Sequence, residues 1–170
     1  MKPIYANRMY AMKKPSRRQL RDSQRNLRNA HSYSEWLDAA KAYDELHGYD
    51  VWRRQDQSPF YPYELLKEQI ETLQRFRRQG RPDLLVPYLQ ESLHRTLGEL
   101  AEPRLYHVSM AGTKHLVENY LDEIESMVDY LCDTDFEFID KTQKQLLFKH
   151  ARKNFGRSAL MLSAGGAFGI

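Results

Sequence analysis

Residues 113–133, Thr113-Lys114-His115-Leu116-Val117-Glu118-Asn119-Tyr120-Leu121-Asp122-Glu123-Ile124-Glu125-Ser126-Met127-Val128-Asp129-Tyr130-Leu131-Cys132-Asp133, carry the longest apolar stripe of the chain. Leu116, Val117, Tyr120, Leu121, Ile124, Val128 and Leu131 recur at steps of three and four, the period of one helix face. The spacing predicts a helix over 113–133 with Cys132 beside Leu131 as a small core residue. Upstream, Pro82 suits a first helical turn, and Leu85, Tyr88, Leu89, Leu93 and Leu97 follow at helical spacing up to Gly98. Before it, Pro62 opens a stripe of Leu66, Ile70, Leu73 and Phe76 that ends at Gly80. Ser32-Tyr33-Ser34-Glu35 has capping-box spacing; Trp36, Ala39, Ala40, Tyr43 and Leu46 follow, and Gly48 closes the segment ahead of a loop through Ser58-Pro59. Downstream, Thr134-Asp135-Phe136-Glu137 repeats the box and predicts a helix to about Asn154. Such stripes build a helical bundle core rather than a cofactor box.

Composition agrees with a folded domain. The chain has 170 residues, 41% hydrophobic and 29% charged, with eight Gly and seven Pro, enough length and apolar content for a core. One cysteine excludes an internal disulfide framework and a cysteine-based zinc site. No stretch reaches the roughly 20 apolar residues of a spanning helix, and the start lacks the apolar centre of a secretory signal, so an intracellular, cytoplasmic protein is expected. The six histidines (31, 47, 94, 107, 115 and 150) show no metal-ligand spacing, and no cofactor or metal is expected. Trp36, Trp52 and Tyr61 could face lipid, with core packing the simpler expectation.

Charge is concentrated at one end. Residues 1–30 hold nine Lys or Arg against Asp22 alone, a net of +8, whereas the other 140 residues sum to −5. This basic arm is either a solvated arginine-rich helix or tail, a contact for an anionic membrane, or a contact for nucleic acid, the last being the weakest reading. Lys13, Lys14, Arg17, Arg18, Arg21, Arg25 and Arg28 are its candidate membrane contacts.

The last fifteen residues change character. Arg157-Ser158-Ala159-Leu160-Met161-Leu162-Ser163 is a short apolar run with glycines on both sides, which favours a buried strand. Ala164-Gly165-Gly166-Ala167-Phe168-Gly169-Ile170 follows and ends the sequence where a helix is expected, as if cut off. Spacing alone leaves three readings of this turn: an imperfect dinucleotide fingerprint, an oxyanion loop, or a flexible tail.

The string Phe155-Gly156-Arg157-Ser158-Ala159-Leu160-Met161-Leu162-Ser163-Ala164-Gly165-Gly166-Ala167-Phe168-Gly169 resembles the entry to the catalytic domain of the patatin-like phospholipase and triacylglycerol lipase family. The helices before it resemble the segment that precedes that domain, through Trp36, Ala39-Ala40, Leu46, Gly48, Trp52, Leu97-Gly98, Leu105-Tyr106 and Gly112-Thr113-Lys114. The resemblance covers residues 30–170. It implies hydrolysis of acyl esters by a Ser-Asp dyad, with the serine in G-x-S-x-G and the aspartate followed by glycine. Neither motif occurs in this chain, so no catalytic residue is carried over and the 170 residues are expected to be inactive alone. Only the backbone oxyanion loop transfers, onto Gly165, Gly166 and Ala167, and Ala164 departs from the family's first glycine. The implied fold is mainly α: a basic arm (1–30), a helical bundle-like region (31–155), then one short strand and a glycine-rich turn (156–170) that begin a truncated α/β domain. The implied partners are lipid substrate, a membrane or lipid-droplet surface, and the remainder of the patatin domain. The alternative is a non-enzymatic helical interaction or lipid-surface module.

Overall fold

A computed structural model describes residues 15–136, 141–146 and 148–149. Among these residues the chain is mainly helical and contains no strand. The expected strand 158–163 and the glycine-rich turn lie outside the described residues.

Helix α1 (Arg17–Arg28) starts at Ser16, whose hydroxyl accepts from Gln19 N at 3.2 Å while Ser16 N–H donates to Gln19 Oε1 at 2.8 Å, a complete capping box. Helix α2 (Tyr33–His47) starts at Ser32, which accepts from Glu35 N. The Glu35 carboxylate reaches one residue past the cap and accepts from His31 N. Gly48, at φ +74°, ends α2 in the left-handed region that L side chains avoid, and α3 (Tyr49–Arg54) begins directly after it. This corrects the expected loop from Gly48 to Pro59: only its second half is irregular.

Helix α4 (Tyr63–Arg78) follows Pro62 and stops before Gly80, at φ +60°. Helix α5 (Pro82–Arg95) has Pro82 in its first turn, where a missing N–H costs nothing. It ends three residues before the expected Gly98, which falls instead inside the short helix α6 (Leu97–Leu100). The break comes at Thr96, which is buried and donates its hydroxyl to Gln69 Oε1 at 3.0 Å. A single 3-10 turn (Pro103–Leu105) precedes α7 (His115–Asp133). On α7 the buried face is Val117, Tyr120, Ile124, Met127 and Leu131, while Leu121 and Val128 flank it half-buried. Cys132 is exposed, a correction to the expected core position; one residue past Leu131 turns it about 100° off the buried face.

The chain divides into two compact units. The first joins the residues up to Phe60 with Glu102–Glu118; the second joins Tyr61–Ala101 with the residues from Asn119 onward. The second has an apolar core of Leu66, Leu73, Leu85, Leu89, Leu100, Tyr120, Ile124, Met127 and Leu131. Phe76 meets Tyr88 edge to face at 5.7 Å where α4 packs on α5. Gln74 and Arg77 of α4 donate to Glu123 and Ser126 of α7. Buried positions of the first unit are more polar: Ala40, Leu105, Leu116 and Val117 share its interior with Asp44, Ser109, Thr113 and Lys114.

Candidate functional site

Two features of the first unit carry chemistry: a buried polar network and an arginine stripe. The network gathers on the loop 105–114. Asp44 lies on α2 one turn past buried Ala40, so helical geometry aims a carboxylate into the interior. There it accepts from Ser109 Oγ at 2.6 Å, Met110 N at 2.8 Å and Ala111 N at 2.8 Å. Three charge-assisted bonds offset the cost of burying the charge. The Ser109–Asp44 contact has the residue types of a Ser-Asp pair. Both members are buried, and both carboxylate oxygens are held by backbone N–H groups, so the pair fixes the loop rather than presenting a nucleophile.

Beside it, Arg53 at the end of α3 donates Nη2 to both Glu118 oxygens at 2.8 Å and Nε to the Thr113 carbonyl at 2.9 Å. Glu118 also accepts from Thr113 N at 2.9 Å, and His115 Nδ1 lies 3.1 Å from its other oxygen. Gly112 is at φ +139°, and a Cβ there would stand 2.3 Å from Glu118 Oε1. Lys114 is the buried cation of the unit: Nζ donates to the Trp52 and Gln55 carbonyls at 2.7 and 2.8 Å and lies over the Trp52 ring at 4.5 Å. Burial lowers its ammonium to about 8, against the opposing pull of Asp56. A lysine so desolvated can act as a base elsewhere. Here it staples the last carbonyls of α3, where a positive charge also suits the helix dipole.

None of these network residues stood out as functional in the sequence. Asp44 and Lys114 had one available signal, a charge placed among apolar stripe positions; their partners lie 59 to 67 residues away and share no local spacing. Trp52 and Tyr61 are engaged by Lys114 and by burial, in line with core packing, whereas Trp36 is half-exposed.

The second feature is α1. Arg17, Arg18, Arg21, Arg25 and Arg28 are all exposed. At 3.6 residues per turn they fall within an arc of about 100°. Leu20 and Leu27 lie off the stripe, about 60° and 80° round from Arg17, half-buried, and α1 packs against α2. Asp22 borders the stripe, 3.1 Å from Arg25 and 3.8 Å from Arg18. Arg17, Arg21 and Arg28 form no ion pair among the described residues. Lys13 and Lys14, and the oxyanion candidates Gly165, Gly166 and Ala167, lie outside the described residues. Among the described residues no three His, Cys, Asp or Glu side chains converge as a metal site, and no helix is long and apolar enough to cross a membrane.

Comparison with known proteins places the chain. Residues 11–153 match the family described as "Domain of unknown function (DUF3336)". Triacylglycerol lipase ptl3 of Schizosaccharomyces pombe is 33% identical over 141 residues, which are 83% of this chain and 29% of that protein. Triacylglycerol lipase 4 of Saccharomyces cerevisiae is 31% identical, over 84% of this chain and 15% of its own length. A patatin-like phospholipase domain-containing protein of Chaetomium globosum is 31% identical, over 85% of this chain and 18% of its own. The chain therefore spans less than a third of the length of these relatives. No solved structure matches it. The chain belongs to the DUF3336 family, as the helical region shared with the patatin-like phospholipases and triacylglycerol lipases.

Proposed function

We propose that this chain is the helical front of a lipid acyl hydrolase and docks that enzyme on an anionic lipid surface through α1. The hydrolase itself, a Ser-Asp enzyme acting on triacylglycerols or phospholipids, would supply its nucleophile and aspartate from the remainder of the patatin domain. On this reading residues 1–30 are the docking arm, 31–155 the helical region and 156–170 the start of the catalytic domain. Gly165, Gly166 and Ala167 would offer backbone N–H groups to the oxyanion of a tetrahedral intermediate. The 170 residues alone would be inactive, because G-x-S-x-G and Asp-Gly are absent from them.

One observation carries the docking role: five arginines share one exposed face of α1, with its two leucines half-buried outside that arc. A cationic stripe on a helix already held to its neighbour can meet phosphates without folding anew. Each Lys or Arg near an anionic leaflet contributes on the order of 1 kcal/mol at low ionic strength. The relatives named as lipases and phospholipases supply the lipid context.

Co-sedimentation of the 170-residue chain with vesicles tests this. Binding to phosphatidylserine-containing vesicles and not to neutral phosphatidylcholine is expected, weakening as salt shortens the Debye length. Arg17→Glu with Arg21→Glu and Arg28→Glu should abolish it while circular dichroism stays unchanged. Equal binding to neutral vesicles, or full retention by the triple variant, refutes the role.

A further inference from the structure

We infer that Tyr33 and Trp36, the aromatic pair in the first turn of α2, form the interfacial anchor of the surface whose charge is supplied by α1. The inference rests on the docking role proposed above and names the side chains that enter the lipid interface.

The two rings stack at 6.1 Å with planes 24° apart. Tyr33 is 75% exposed, the most exposed of the large hydrophobic side chains among the described residues, and Trp36 is half-exposed. Their place on α2 makes this exposure unusual. Tyr33, Trp36, Leu37, Ala40 and Asp44 follow the helical period, so the pair continues the face that is fully buried one turn later at Ala40 and Asp44. The core-facing stripe of α2 thus runs on past the interior and ends in a half-buried Trp36 with an exposed Tyr33 stacked on it.

The neighbouring charge says what covers them. Arg28, the last residue of the arginine stripe, precedes Tyr33 by five residues, a span of at most about 18 Å even if fully extended. No acidic residue lies between them in sequence, and Glu35, exposed between the two rings, has its carboxylate turned back to accept from His31 N. Tyrosine and tryptophan with adjacent arginines are the composition of a membrane interface: the rings lie at headgroup depth, and the guanidinium groups meet phosphates. The occupant we assign is an anionic lipid surface.

Trp52 is the only other tryptophan, so Trp52→Phe leaves Trp36 as the sole indole and keeps a ring beneath Lys114. On phosphatidylserine/phosphatidylcholine vesicles its emission should move to shorter wavelength and be quenched by brominated acyl chains. Tyr33→Ala, at a site too exposed to disturb the core, should weaken vesicle partitioning about tenfold, a loss that persists when salt removes most of the electrostatic part. Vesicle binding with unshifted, unquenched Trp36 emission overturns the anchor and leaves the arginine contact standing. Loss of all vesicle binding overturns both. A blue shift that grows with protein concentration in the absence of vesicles would assign the rings to a second copy and also overturn the anchor.

Discussion

Asp44 is a carboxylate on the buried face of a helix, and three donors converge on it. Asp44→Ala leaves Ser109 Oγ and two backbone N–H groups inside without an acceptor. We expect a loss of about 3 kcal/mol or more, read as a lower urea midpoint. Gly112→Ala is the backbone counterpart. It forces a Cβ into a positive φ and against a Glu118 oxygen that Arg53 and Thr113 hold in place, and should cost about 1–3 kcal/mol by the same measurement. If both variants unfold like the wild type, the network has been misassigned as the interior of the first unit. Asp44 itself was readable in the sequence as an acid four residues beyond Ala40 and eight beyond Trp36. Its partners were not, because a loop of mixed polarity has no period to follow.

Local signals worked best where one residue decides a helix end. Ser32, Gly48, Gly80 and Pro82 mark the limits of α2, α4 and α5 because capping and positive φ are properties of single residues. Gly98 does not end the segment: α5 stops at Arg95, and buried Thr96, which donates its hydroxyl to Gln69, 27 residues away, stands between it and α6, a tertiary contact that local spacing does not show. Helix α3 was missed because six residues show too few turns for periodicity to register. Helix α1, like α3, buries no residue, but unlike α3 it carries a side-chain cap on which its start depends. Ser16→Ala removes the hydroxyl half of the capping box, leaving the Ser16 N–H bond to Gln19 in place, and should destabilise α1 by about 1 kcal/mol. Hydrogen exchange will show this as faster exchange of the Gln19 and Leu20 amides, with those of α4 and α7 unchanged. Asp22→Asn works in the opposite sense on function: freeing Arg18 and Arg25 from their acidic neighbour should tighten binding to anionic vesicles, by a few-fold at low salt.

The behaviour of the chain with pH follows from what it buries. Lys114 falls to about 8 in the folded state from an ordinary 10.5, so between these values the unfolded chain holds the extra proton and folding gains as pH rises. Tyr120 works the other way: burial lifts its phenol from 10.0 to about 12, the unfolded chain ionises first, and stability falls above pH 10. Thermal midpoints should therefore climb from about pH 8 towards 10 and drop beyond it. Lys114→Met should abolish the climb and keep the fall; a climb that survives in this variant assigns it to another group. Acyl-ester hydrolysis by the chain alone is expected to be undetectable. The mainly helical class was legible throughout, while the division into two units was hidden, because each unit is assembled from separated segments. That interleaving sets a schedule for synthesis. A ribosome that has released residues 1–60 has delivered the Asp44 carboxylate but none of its donors, and the carbonyls of Trp52 and Gln55 wait likewise for Lys114. The first unit must therefore idle, open to chaperones and proteases, until the 102–118 segment emerges to close it, and residues 61–101 wait in turn for those from 119 onward.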